Sequence, residues 1–141
     1  MDVVPFRAEH FDRLIVQEAQ AYLSRWLPSK QNAEALEQTR AYTGIADGRV
    51  VACAGILPQW EGRAVTWAYL DERAGEHMTA LHRAVKRYLD ACPIRRIEAT
   101  VDCEFEAGHR WARMLGFQLE CERMRAYRAD GGDSALYVRI K

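Results

Sequence analysis

The sequence predicts an α/β (α+β) fold: one domain over residues 1–141, with a mixed central sheet of roughly six to seven strands flanked by about four helices. Three observations lead there. The 141 residues are 49% hydrophobic and 28% charged, with 9 Gly and 4 Pro, which suits one buried core and excludes collagen-like, low-complexity or mainly disordered chains. Asp47-Gly48 between two apolar runs is the dipeptide of a tight β-hairpin. A full helical pattern separates the strand-like runs Arg63–Leu70 and Arg96–Val101, and a crossover of that length is what a parallel pair of strands requires.

The elements follow in order. Residues 1–6 form an apolar run that reads as a strand, and Phe11, Leu14, Ile15, Ala19 and Tyr22 then recur at helical spacing from Ala8 to Leu23. Ser29, after Pro28, is the N-cap of a second helix through Ala33, Leu36 and Ala41, with Glu34, Glu37 and Arg40 on its outer face. Tyr42–Ala46 and Arg49–Leu57 are the arms of the hairpin, and Glu61-Gly62 punctuates the chain before Arg63–Leu70, where Val65, Trp67 and Tyr69 share one face. After the loop from Asp71 to Gly75, Met78, Leu81, Val85, Tyr88, Leu89 and Cys92 make one helical stripe opposite His82, Arg83, Lys86 and Arg87, and Pro93 stops it. Arg96–Val101 alternates as a strand, and Phe105, Gly108, Ala112 and Leu115 line a helix closed by Gly116. Phe117–Tyr127 and Ala135–Ile140 are two last strands around a turn at Asp130–Asp133.

Charge narrows the function classes. Twenty Lys and Arg offset twenty Asp and Glu, for a formal net charge of 0, so no overall field gathers nucleic acid or an anionic membrane. The Arg83, Lys86, Arg87, Arg95 and Arg96 group reads as the wet face of a helix and its exit turn. The longest apolar runs, such as Val50–Leu57, are far short of the ~20 residues that span a bilayer, and the acidic start at Asp2 lacks the pattern of a signal peptide; a cytoplasmic protein is expected. Cys53, Cys92, Cys103 and Cys121 form no Cys-x-x-Cys pair and have no His at ligand spacing, which points to structural, reduced thiols and no metal site.

The element order, together with Gly108–Phe117 (GHRWARMLGF) and the final hairpin, resembles the GCN5-related N-acetyltransferase (GNAT) superfamily over nearly the whole chain. The resemblance implies acetyl-CoA as cofactor and transfer of an acetyl group to a primary amine of a small molecule or protein. In that family a Gln/Arg-x-x-Gly-x-Gly/Ala turn opens the central helix and holds the cofactor's pyrophosphate, because unpaired N–H groups and the positive helix end attract an anion. The corresponding stretch is Leu70-Asp71-Glu72-Arg73-Ala74-Gly75-Glu76-His77. With Arg73 in the first motif position the two small residues become Glu76 and Met78; with Glu72 there, Gly75 fits but His77 takes the last place. Arg73, Gly75, His77 and Met78 are therefore the candidate cofactor residues. Glu76 is equally accounted for as an acidic partner of the helix dipole.

Many family members carry a tyrosine four residues before the Leu-Gly-Phe glycine, which can protonate the leaving thiolate. Here that residue is Ala112, beside Trp111, so the candidate acids are Tyr69, Tyr127 and His109. Candidate bases near the parallel strands are Glu61, Glu98 and Asp102, with Asp102 best placed at the end of its strand; the alternative for Asp102 is to cap the helix that follows. Cys103 raises an acyl-cysteine route against a structural thiol.

A narrower resemblance runs from Trp67 through the Arg/Lys-rich helix to Gly108-His109-Arg110-Trp111 and Leu115-Gly116. It is to short phage-encoded proteins of this fold, including the internal virion protein A type, in which the cofactor turn and the tyrosine are also eroded. It implies a second function: a non-catalytic assembly protein that binds phage structural proteins. Trp26, Trp60 and Trp111 are its candidate anchors, the alternative being that each packs on its own domain.

Overall fold

The computed structural model describes residues 1–18, 20–21 and 28–141. Among them are seven strands: β1 (Asp2–Pro5), β2 (Arg40–Ala46), β3 (Arg49–Trp60), β4 (Arg63–Leu70), β5 (Arg96–Asp102), β6 (Gln118–Met124) and β7 (Ser134–Ile140). The α-helices are α1 (Lys30–Leu36), α2 (Met78–Ala91) and α3 (Glu106–Met114), joined by 3-10 turns at Ala8–Arg13 and Ala74–His77. The strands form one mixed sheet in the order β1-β2-β3-β4-β5-β7-β6. The predicted parallel crossover is present: β4 pairs with β5 in parallel, Arg63 opposite Arg96, Ala64 opposite Ile97 and Val65 opposite Glu98. The chain packs as two compact units, residues 1–57 with 67–85 and residues 58–66 with 86–141.

In the first unit the Asp47-Gly48 turn has φ of 52° and 72°, the positive values at both central residues that a two-residue type I′ hairpin needs. It sets β2 against β3, with Ala46 facing Arg49. The core gathers Phe6, Phe11, Leu14, Ala33, Ala41, Val50 and Cys53, with Trp67 and Tyr69 of β4 packed on it. Phe6 and Trp67 meet edge to face at 5.5 Å, as do Phe11 and Tyr69 at 5.4 Å, geometry that adds to the area each ring buries.

Two predicted helices are shorter than their apolar spacing suggests. The helix expected over Ala8–Leu23 is a 3-10 turn that ends at Arg13, because Leu14 is extended (φ −94°, ψ 124°). Val16 then bridges Asp71, the Gln17 N–H donates to the Leu70 carbonyl, and the Glu72 N–H donates to that of Ile15. Pairing with the end of β4 outcompetes helical propensity, a weak preference that tertiary context overrides. Ala19, Tyr22 and Leu23 of that predicted helix lie outside the described residues. The second helix begins as predicted, with Ser29 Oγ accepting the Asn32 N–H at 3.3 Å, but ends at Leu36. Arg40 and Ala41 belong to β2 instead, held between β1 and β3.

In the second unit β7 lies between β5 and β6, antiparallel to both. Tyr137, Ile97, Ala135, Leu115 and Phe117 are buried. Helix α3 closes at Gly116, whose φ of 90° suits glycine at a helix C-terminus. Strand β6 is shorter than predicted: it ends at Met124, and Ala126 turns the chain with φ 52° while its N–H donates to Asp133 Oδ1. All four cysteines are free thiols, Cys53 and Cys92 buried.

Candidate functional site

The loop that leaves β4 is organised by Asp71, which is 1% exposed. Its Oδ1 accepts the Ile15 N–H at 2.9 Å, and its Oδ2 accepts Arg49 Nε at 2.9 Å and the Arg73 N–H at 3.1 Å. Burial pushes this carboxyl up, but Arg49 and the two N–H donors outweigh it and hold it below the usual carboxylate range. Next in the chain, the Arg73 guanidinium lies flat on Glu76: Nε to Oε1 is 2.9 Å and Nη2 to Oε2 is 3.0 Å. This fork-on-fork pair holds the Glu76 carboxyl below its ordinary value. The N–H groups of Glu72, Arg73, Ala74, Glu76 and Met78 are bonded to Ile15 O, Asp71 Oδ2, Asp71 O, Arg73 O and Gly75 O. A small open hollow adjoins this turn, lined by residues including Asp47, Arg49, Asp71, Arg73, Glu76 and His77.

Gly75 is exposed and does not have a positive φ, and a Cβ there would meet nothing within 4 Å. His77 and Met78 are half-buried at the junction of the 3-10 turn with α2.

The candidate acids and bases are spread over both units. Tyr69 belongs to the first, packed against Phe11 and, at 6.0 Å, Trp67. In the second, Asp102 Oδ1 accepts the Glu104 N–H at 3.0 Å and the Asp102 carbonyl accepts that of Phe105, while Oδ2 meets Arg128 Nη1 at 2.5 Å. Tyr127 is 55% exposed. Glu98, 7% exposed, is clamped between Arg63 and Arg96; hydrogen bonds from Arg63 foremost, then Arg96, prevail over burial and hold it at about 2. A carboxylate so stabilised is a weak base at neutral pH. Glu61 sits exposed in the turn before β4.

Helix α3 presents Ala112, 6% exposed, at the position expected to hold a tyrosine. One turn earlier, His109 Nε2 bonds the Cys103 carbonyl at 3.0 Å and Nδ1 bonds the Tyr137 hydroxyl at 2.8 Å. A carbonyl only accepts, so Nε2 carries a proton and donates it to the Cys103 carbonyl. This pair was not legible in the sequence: the residues are 28 apart, and Tyr137 is fully buried. His109 meets the carbonyl of Cys103, whereas the Cys103 thiol donates to the Glu122 carbonyl at 3.5 Å and is raised, chiefly by burial.

Of the candidate anchors, Trp60 is 64% exposed with the Arg63 guanidinium 4.6 Å from its ring centre, Trp111 is half-buried, and Trp26 lies outside the described residues. In the basic group, Lys86 pairs with Asp90 and Arg96 with Glu98 and Glu120. Among the described residues no helix is long and apolar enough to cross a membrane.

No family model and no curated protein matches the sequence. Solved structures do match in shape. Ard1 from Thermoplasma volcanium is 16% identical with a TM-score of 0.77, over 99% of this chain and 96% of that one. A ribosomal-protein-alanine N-acetyltransferase from Brucella melitensis is 15% identical with a TM-score of 0.73, over 100% of both. A GNAT-superfamily phosphinothricin acetyltransferase from Sinorhizobium meliloti, solved in complex with acetyl-CoA, is 17% identical with a TM-score of 0.71, over 99% of this chain and 87% of that one. At such identities the likeness is one of architecture, and the chain has the fold of the GNAT-family acetyltransferases.

Proposed function

We propose that this chain is a single GNAT-fold domain that serves as a protein-binding module rather than an acyl-transfer catalyst. The observation that carries the reading is Ala112: α3 is followed by Leu115-Gly116-Phe117, yet the position that would return a proton to a leaving thiolate is a buried methyl group. Trp60 supports it from the other side. An exposed indole stacked on Arg63, itself held by the buried Glu98, is a preorganised anchor of the kind that dominates interfaces. The sequence resemblance to short phage-encoded proteins nominates virion structural proteins as the partner class.

The second reading is an acetyl-CoA-dependent N-acetyltransferase acting on a primary amine. It is favoured by Gly75, whose lack of a side chain no contact or backbone angle in the fold demands. In that reading Arg73, Gly75, His77 and Met78 hold the cofactor, Asp102 serves as base, and Tyr69 or Tyr127 as acid. Acetyl-CoA would supply the activated thioester.

Thiol release from acetyl-CoA, measured over a panel of small and peptide amines, separates the two. The binding module gives no release above the protein-free rate, and it co-purifies in fixed proportion with a structural protein by an association that Trp60→Ala weakens at least about tenfold. Amine-dependent release that scales with protein concentration would overturn the binding-module reading.

A further inference from the structure

We propose that Glu76 is the resident anion of the turn that opens α2, and that this turn therefore does not accept the diphosphate of coenzyme A. The inference rests on the reading of the chain as a non-catalytic GNAT-fold protein and gives a cause for the loss of its cofactor.

An anion site at a helix start needs free N–H donors, an unengaged cation and a favourable local charge. In this turn both guanidiniums are engaged, the N–H groups of five residues are bonded and the local charge is unfavourable. Both guanidinium nitrogens of Arg73 that face the turn are taken by Glu76 at 2.9 and 3.0 Å. Arg49 is held by the buried Asp71 and by Glu72. The N–H groups of Glu72, Arg73, Ala74, Glu76 and Met78 already have acceptors in the fold, two of them supplied by Asp71. Around the hollow the three carboxylates Asp47, Asp71 and Glu76 outnumber the two guanidiniums Arg49 and Arg73, so a phosphate would enter a site already negative by one charge. Space is not the obstacle, since a Cβ at Gly75 would touch nothing within 4 Å. Charge is, and it is concentrated in a side chain that is 54% exposed and replaceable without opening the core.

The test compares coenzyme A with pantetheine, which lacks the nucleotide diphosphate, and with inorganic pyrophosphate, by thermal melting and titration calorimetry on the whole protein. The wild type should respond to coenzyme A no more than to pantetheine. Glu76→Ala and Glu76→Gln, their folding checked by circular dichroism, should gain at least about tenfold in affinity for coenzyme A and pyrophosphate, and lose most of the gain in about 0.5 M salt. Adding Arg73→Gln to Glu76→Ala should abolish it. A wild type that binds coenzyme A at least about tenfold more tightly than pantetheine overturns the inference, as do Glu76 variants that gain nothing. In that last case, with the wild type also silent in thiol release, only this inference fails and the binding-module reading stands; thiol release by the wild type removes that reading itself.

Discussion

Asp71→Ala should destabilise the first unit strongly, because Asp71 is a buried carboxylate with three donors. It removes the acceptor from two backbone donors, Ile15 N–H and Arg73 N–H, and the ion-pair partner from Arg49. Each donor left without an acceptor costs about 1–1.5 kcal/mol where water can partly replace the carboxylate. The ion pair contributes less than a fully buried one, about 1 kcal/mol, because the Arg49 side chain is 33% exposed and can turn to solvent. The sum is a loss of about 3–4 kcal/mol. With a urea dependence near 1.5–2 kcal/mol per molar, the unfolding midpoint should fall by about 2 M at unchanged slope. Asp71→Asn should cost about half as much: its oxygen can still serve Ile15, while its amide nitrogen faces two donors, Arg49 Nε and the Arg73 N–H. Urea melts of both variants and of Arg49→Gln, followed by circular dichroism, complete the comparison. A loss below about 1 kcal/mol for Asp71→Ala would refute the argument that this carboxylate holds the loop to β3 and to residue 15.

Three further outcomes are expected. His10 Nδ1 accepts the Arg7 N–H at 3.1 Å and lies 2.8 Å from Thr43 Oγ1; burial first, then Arg13, lowers its folded value below the ordinary 6.5. Its contribution to stability is therefore complete above pH 6.5 and is lost as the pH falls through the lower folded value. Urea midpoints should decline on acidification below about pH 6.5 in the wild type and less steeply in His10→Asn, whose oxygen can accept the same bonds; parallel slopes would remove His10 as the cause. Gly108→Ala places a Cβ 2.6 Å from Phe105 Cδ2 and 2.8 Å from Val101 Cγ1 and should cost about 1–3 kcal/mol. Gly75→Ala meets no atom and should stabilise by about 0.5–1 kcal/mol through the unfolded chain; thermal melts that rank the two the other way would contradict the packing around α3.

Local chemistry made much of this protein readable in one dimension. Asp47-Gly48 names its own turn because few residue pairs tolerate two positive φ values, Ser29 names a helix start because its hydroxyl reaches an N–H three residues on, and the helix between β4 and β5 is long enough to impose parallel strands. What the sequence could not decide depends on partners distant in the chain. Leu14–Val16 leaves a helical pattern to join the end of β4, Ala41 leaves another to sit between two strands, and Tyr137 finds His109 across 28 residues. At the turn before α2 the spacing identified Arg73 and Glu76 as neighbours of a helix start. Only the folded arrangement determines that each satisfies the other, because Asp71, Ile15, Arg73 and Gly75 accept the bonds of neighbouring N–H groups while the two side chains pair with each other.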